Sequence, residues 1–277
     1  MVDLHSHTVH SDGTLTPTEL LALADARGLQ TIAITDHDQL DAYDDLPATP
    51  PRVELVVGVE LSLTWPRGNL HLLGYHIDPA NPALRATLRD LRAARVERNE
   101  EMVARLRAAG FDVSLEQLAA LAGRAHIGRP HMAQALVDLG AVGSIAEAFH
   151  RYLADDSPLY VPRRDLSFAE GIELIHGAGG VAVLAHPAQT RLGERDLADA
   201  VVRWARDGLD GLEVWYPSHT PRQRRAYRDL ARRLQLIATA GSDFHGATKP
   251  GIELGQPGGR PPAEQIRADL AAAAARY

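Results

Sequence analysis

The sequence predicts an α/β fold built from parallel βα units and interrupted by one all-helical insertion. Three observations carry this expectation. Seven short, β-rich apolar runs recur along the chain, and several segments between them carry strong helix-start signals. The alternation then breaks between Pro79 and about Asp165, where no convincing strand can be read. With 277 residues, 45% of them hydrophobic and 23% charged, the chain can bury a real core. Barrels often reach about 250 residues as one unit, so a single large domain with an insertion fits the length.

The runs are Val2–Thr8, Thr31–Thr35, Val53–Leu63, Leu70–Ile77, Val181–Ala185, Gly211–Tyr216 and Leu236–Ala240. After the first, Thr16-Pro17-Thr18-Glu19 combines an N-cap, a proline at the first helical position and the acid of a capping box, which predicts a helix to about Gly28. Ser167-Phe168-Ala169-Glu170 and Thr220-Pro221-Arg222-Gln223 start later helices in a similar way. Within the break, Asn81-Pro82 opens a long helix to Ala109, ended by Gly110, with Leu84, Leu88, Leu91, Val103 and Leu106 among its apolar positions. Ser114-Leu115-Glu116-Gln117 and Ser144-Ile145-Ala146-Glu147 are further capping boxes. Residues 1–78 and 166–277 are therefore expected to form the α/β body and 79–165 a helical insertion, with the Ala271–Ala275 run ending a closing helix.

Composition narrows the chemistry. The absence of Cys excludes disulfides, thiolate nucleophiles, iron–sulfur clusters and Cys-type zinc, so any metal must sit on His and carboxylate. With 36 acidic against 29 basic residues, the formal charge of -7 argues against gripping long duplex nucleic acid by phosphate neutralisation alone. Met1-Val2-Asp3-Leu4-His5 shows no basic stretch followed by an apolar segment, and nowhere do about 18 apolar residues run together. Neither a signal peptide nor a membrane span is read, and a cytoplasmic location is the expectation. Lys249 is the sole lysine among the basic residues, which reads as composition bias toward Arg.

The 13 His residues are not scattered. His5 and His7 lie two apart on the first run and so share one side of a strand; Asp243 and His245 repeat that spacing after the seventh. His37 follows the second run, Glu60 sits inside the third and His186-Pro187 closes the fifth. A lone strand His is more often a satisfied core residue than a ligand, and Asp12-Gly13 alone reads as a turn. In a parallel barrel, however, the carboxyl ends of the strands surround one mouth, so these residues would converge there as a metal site. A buried, unpartnered carboxylate is expensive, which already marks Glu60 within Val56-Val57-Gly58-Val59-Glu60-Leu61-Ser62-Leu63 as functional.

Asp3-Leu4-His5-Ser6-His7-Thr8 with Ser11-Asp12-Gly13, Ile34-Thr35-Asp36-His37-Asp38, Gly58-Val59-Glu60, Ala185-His186-Pro187 and Gly241-Ser242-Asp243-Phe244-His245 resemble the successive motifs of the PHP (polymerase and histidinol phosphatase) family of metal-dependent phosphoesterases. The helical insertion, Gly128-Arg129-Pro130-His131 and Tyr160-Val161-Pro162 resemble its stand-alone branch of 3',5'-nucleotide bisphosphate phosphatases and RNase AM-type 5'-to-3' exoribonucleases. The resemblance implies a distorted seven-stranded (β/α) barrel of PHP type with a trinuclear metal centre at its mouth. Carried over, the first ion would take His5, His7, Glu60 and Asp243; the second would share Glu60 and add His71 and His186; the third would take Asp12, His37 and His245. One position has two candidates: His76 ends the fourth run as strand logic prefers, whereas His71 matches the family's pattern in His71-Leu72-Leu73-Gly74, and His71 is chosen.

The implied cofactor is three divalent ions, Mn in first place with Fe or Zn compatible with the ligand types. Six imidazoles and three carboxylates around three such ions leave about three positive charges, which suits a phosphate dianion. The expected reaction is phosphoester hydrolysis by a metal-bridging hydroxide, on a 3',5'-bisphosphonucleotide or 5'-phosphorylated short RNA. Glu60, Arg129 and His131 are the expected catalytic residues, and Arg98, Arg129 and His131 the expected substrate contacts on an insertion acting as a lid. Asp3, Asp36 and Asp38 are placed to orient ligands, and Tyr216 and His219 to stack on a base or pack at the rim. The alternatives are a small-metabolite phosphatase, such as one for histidinol phosphate, and a non-catalytic metal-binding module.

Overall fold

The computed structural model describes residues 1–47, 52–65, 69–123, 127–154, 157–162 and 165–277. Its strands join in chain order into one seven-stranded sheet: β1 (Val2–Asp3), β2 (Thr31–Ile34), β3 (Glu54–Ser62), β4 (His71–Tyr75), β5 (Val181–Leu184), β6 (Gly211–Trp215) and β7 (Ile237–Ala240). The sheet curls into a nearly closed barrel. At the seam the Leu4 N–H donates to the Ala240 carbonyl at 2.9 Å, and Ser6 bridges Phe244 in the parallel sense.

Two expectations need correction. The barrel is not wholly parallel, because β4 runs antiparallel to both β3 and β5. The cause lies in loop length: the short connection from Ser62 to His71 can make a hairpin, whereas a parallel return needs a crossover of a dozen or more residues. The first run is also regular only over Val2–Asp3, not to Thr8. Beyond it side chains take two of the N–H groups on the side of β2: Ser6 N–H donates to Thr35 Oγ1 at 3.2 Å and Thr8 N–H to Asp36 Oδ1 at 2.7 Å.

Helices α1 (Pro17–Ala26), α6 (Phe168–Gly177), α7 (Glu194–Arg206), α8 (Pro221–Leu234) and α9 (Ala263–Ala274) accompany the barrel strands. The start signals work as read. Thr16 Oγ1 accepts the Glu19 N–H at 3.2 Å while Glu19 Oε2 accepts the Thr16 N–H at 2.8 Å, and Ser167/Glu170 and Thr220/Gln223 repeat the box. With helices outside, β2 and β5 are buried at every position, as strands covered on both faces must be. The barrel core joins Val2, Ala33, Val56, Leu73 and Val183 to Ile266 and Leu270 of α9.

The chain divides into two compact units, Met1–Leu88 with Asp165–Tyr277, and Arg89–Arg164, the boundary falling inside α2 (Pro82–Ala108). The second unit is helical, with α3 (Leu115–Ala122), α4 (Arg129–Asp138) and α5 (Ile145–Ala148) around Met102, Leu106, Leu118, Met132, Leu136 and Leu153. No helix among the described residues is long and apolar enough to cross a membrane.

Candidate metal centre

The candidate ligands of the barrel unit gather at one mouth, most of them at or just past a strand end. His5 and His7 follow β1, Asp12 lies in the next loop, His37 follows β2 and bridges to Glu60 of β3, His71 opens β4, His186 follows β5, and Asp243 and His245 follow β7. The reversed β4 explains the choice between its two histidines. Running antiparallel, β4 brings its first residue to the mouth, where His71 Nδ1 lies 2.8 Å from Glu60 Oε1, and carries half-buried His76 away at its far end.

Glu60 is the hub, 1% exposed. Its Oε2 faces His5 Nε2 at 3.1 Å, His7 Nε2 at 3.2 Å and His37 Nδ1 at 3.3 Å, while its Oε1 faces His71 Nδ1 at 2.8 Å and His186 Nε2 at 2.9 Å. Three sets keep their ligand atoms within 4.8 Å of one another: His5, His7, Glu60 and Asp243; His7, Asp12, His37 and His245; and His37, Glu60 and His71. His7 and His37 thus each reach two sets, where the family pattern gave each to one. His186 enters through Glu60 and lies edge-on to His71 with ring centroids 5.1 Å apart.

The donors suit divalent cations better than they suit one another. Buried His7 Nε2, His37 Nδ1 and Asp12 Oδ1 lack a hydrogen-bond partner, an expensive state that metal coordination relieves. Burial opposes charge on the imidazoles, yet nearby carboxylates overcome it: Glu60, Glu213 and Asp243 raise His5 well above its ordinary value, and Asp243 and Glu60 raise His7 to about 10. Burial lowers His37 to about 3. Burial works against ionised Glu60 and Asp243 too, but the surrounding imidazoles hold both carboxylates well below the usual range.

Asp3 and Asp36 act on backbone and hydroxyl groups. Asp3 accepts from Ser242 N–H at 2.8 Å and Gly255 N–H at 2.6 Å, which ties the first strand to the segment bearing Asp243. Asp36 accepts from Thr8 and Ser11, whose hydroxyl lies 3.3 Å from His7 Nδ1. Asp38 accepts the Ser62 N–H at 2.8 Å. Tyr216 and His219 are buried and present no face to a base. Instead the Tyr216 hydroxyl donates to Asp243 Oδ2 at 2.7 Å, and the Lys249 ammonium contacts the same oxygen. Sequence reasoning missed Lys249 as a site residue, although its standing as the sole lysine was visible. It missed Glu213 as well, a 1% exposed acid in the sixth apolar run and the same signal that marked Glu60.

The remaining candidates belong to the second unit. The guanidinium groups of Arg98 and Arg129 lie 5.9 and 5.1 Å from the Tyr160 ring centroid, and Arg129 also donates to the Leu153 carbonyl at 3.1 Å. His131 Nδ1 accepts the Gly128 N–H at 3.1 Å and so caps α4.

A 3',5'-nucleoside bisphosphate phosphatase of Chromobacterium violaceum is 36% identical over 264 residues, 94% of this chain and 93% of its own. This chain belongs to the PHP family. The PHP domain model matches residues 3–116, the stretch that carries His5, His7, Asp12, His37, Glu60 and His71. The 5'-3' exoribonuclease Rnm of Salmonella typhimurium is 36% identical over 258 residues, covering 92% of this chain and 88% of that protein. Among solved structures, a metal-dependent phosphoesterase from Bifidobacterium adolescentis superposes with a TM-score of 0.72 at 36% identity, covering 98% of this chain and 95% of the other. The PHP barrel described above is accordingly that of a metal-dependent phosphoester hydrolase.

Proposed function

We propose that this hydrolase holds three divalent ions, with manganese the first candidate, and cleaves a terminal phosphate ester of a 3',5'-bisphosphonucleotide or a 5'-phosphorylated short RNA. The observation that carries the metal reading is the division of Glu60, one oxygen facing His5, His7 and His37 and the other facing His71 and His186. A carboxylate so divided can bridge two ions, with Asp243 completing the first set and Asp12 and His245 a third. When bound, such ions supply Lewis acidity toward phosphoryl oxygens and acidify water. The names of the relatives support a nucleotide or RNA substrate. Tyr216 and Lys249 hold Asp243 Oδ2, which leaves Oδ1 turned toward His5 and His7 at 3.5 and 3.3 Å.

Arg98, Arg129 and His131 are proposed as contacts to the phosphate that is not cleaved, in an insertion that selects substrates. Support comes from the gathering of two guanidinium groups at one Tyr160 ring, which concentrates positive charge at one place on the insertion. Metal analysis by elemental methods with anomalous scattering should give two to three ions per chain, all close to Glu60. Hydrolysis of 3',5'-bisphosphoadenosine and a 5'-phosphorylated oligoribonucleotide should then exceed that of histidinol phosphate. A preference for histidinol phosphate would refute the substrate assignment, and the absence of ions would refute the centre.

A further inference from the structure

We propose that Glu213 is the positioning residue of the centre: its single carboxylate fixes the ring of His5 and the backbone of His186, so that both imidazoles face Glu60. This rests on the three-ion reading above. Glu213 lies on β6, fully buried and outside all three donor sets, beside a register shift between β6 and β7 of the kind that re-aims side chains. One of its oxygens, Oε1, lies 3.0 Å from His5 Nδ1, and the other, Oε2, accepts the His186 backbone N–H at 2.7 Å.

Both contacts have consequences for ion binding. A carboxylate only accepts, so it keeps a proton on His5 Nδ1 and leaves Nε2, 3.1 Å from Glu60 Oε2, as the nitrogen that gives way to an ion. His186 has φ 24° and ψ 65° and precedes Pro187. A non-glycine residue rarely adopts this conformation, and one before proline is normally extended. The bond from its N–H to Glu213 holds the backbone in that shape, with Nε2 2.9 Å from Glu60 Oε1. Space for the arrangement comes from Gly241, where an added Cβ would lie 2.2 Å from His5 Cβ and 2.7 Å from Glu213 Oε1. An amide cannot substitute. Glutamine has one accepting atom for two donors; the His186 N–H cannot become an acceptor and keeps the amide oxygen, so the NH2 faces His5 Nδ1 and drives its proton to Nε2.

The test is Glu213→Gln beside Glu213→Asp, read by manganese titration, thermal unfolding and 15N-histidine NMR. The wild type should show a hydrogen-bonded His5 Nδ1–H resonance with or without zinc, and Glu213→Gln should lose it. Glu213→Gln should also lose about 10–100-fold in affinity at the ions that use His5 and His186 while the Asp12, His37 and His245 set keeps its affinity. Glu213→Asp, which retains two accepting oxygens, should recover part of the loss. Wild-type affinity in Glu213→Gln, or equal loss at all three sets, would overturn the proposal. A wild-type protein that binds no ion would overturn the three-ion reading instead, while the His5 resonance, which needs no ion, still decides the role of Glu213.

Discussion

Protons and metal ions compete for the same nitrogens, so the stability of this protein should change with pH in opposite directions when ions are present and when they are stripped. The perturbation is chelation, followed by a rise from pH 6.5 to 8.5. In the stripped protein His7 holds its proton to about pH 10, against an ordinary value of 6.5, because Asp243 and Glu60 outweigh the cost of its burial; His5 and His71 are raised in the same direction. A folded-state value above the unfolded one stabilises fully below 6.5, and that contribution is lost as pH rises toward the folded value. Each such proton is worth ~1.4 kcal/mol per pH unit once the unfolded imidazole has lost its own proton, so His7 alone removes about 2 kcal/mol over the two units. For a chain of this size that is a fall in Tm of about 4 °C. With ions bound the protons are already displaced, and because the ligands must be deprotonated, apparent affinity and Tm rise over the same window. His37, lowered to about 3, is neutral in the folded state throughout and adds only the small rise that comes from its unfolded form losing its proton near 6.5. Thermal unfolding in chelator and in excess Mn should show slopes of opposite sign. Calorimetry in buffers of different ionisation enthalpy should show more than one proton released per chain on binding at pH 7.5. Parallel slopes, or binding without proton release, would refute the assignment of these histidines as ligands.

Glu60→Gln should reduce turnover by more than the roughly 100-fold that outer partners of metal ligands cost, and His71→Ala should follow it, while His76→Ala stays near wild type in the same phosphatase assay. The reverse order for the two histidines would mean that the wrong end of β4 had been assigned to the mouth. Arg129→Ala should lower kcat/KM for a 3',5'-bisphosphonucleotide by roughly 10- to 100-fold and far less for an aryl phosphate, since a charge-assisted contact contributes about 1.5–3 kcal/mol; equal losses on both would remove Arg129 from selectivity. Gly241→Ala should destabilise by about 1–3 kcal/mol and lower metal content together, because its methyl group would enter the space between His5 and Glu213. A wild-type Tm with full metal content would count against that crowding.

Local signals made the helix starts and the strand order legible. The capping boxes at Thr16, Ser167 and Thr220 need only neighbours three residues away, and all three form. Strand direction was legible too, but went unused: the span between β3 and β4 is too short for a parallel return, and counting it would have sent His71 rather than His76 to the mouth without any family pattern. Periodicity over-extended β1, since Ser6 and Thr8 alternate like strand residues while their N–H groups bond to side chains just past the end of β2. Glu213 escaped because a ligand-type residue was sought at strand ends, where it binds ions, and this one lies within β6, where its carboxylate bonds to two candidate ligands instead. The sharing of His7 and His37 between sets was beyond reach, being decided by fractions of an ångström across segments far apart in the chain.

The seam of the barrel carries one more consequence. Its first and last strands meet through a few backbone bonds beyond a two-residue β1, and the segments that meet there bear His5 and His7 on one side and Asp243 and His245 on the other. An ion gripped from both sides is therefore a cross-link between the two ends of the barrel, and it closes a loop of more than 200 residues. Cross-links spanning loops of about 100 residues contribute several kcal/mol in the chain-entropy view, with longer loops adding only logarithmically. A metal held in the proposed centre would double as the clasp of its own hoop, so cellular metal supply would govern how long the folded chain survives as well as how fast it works.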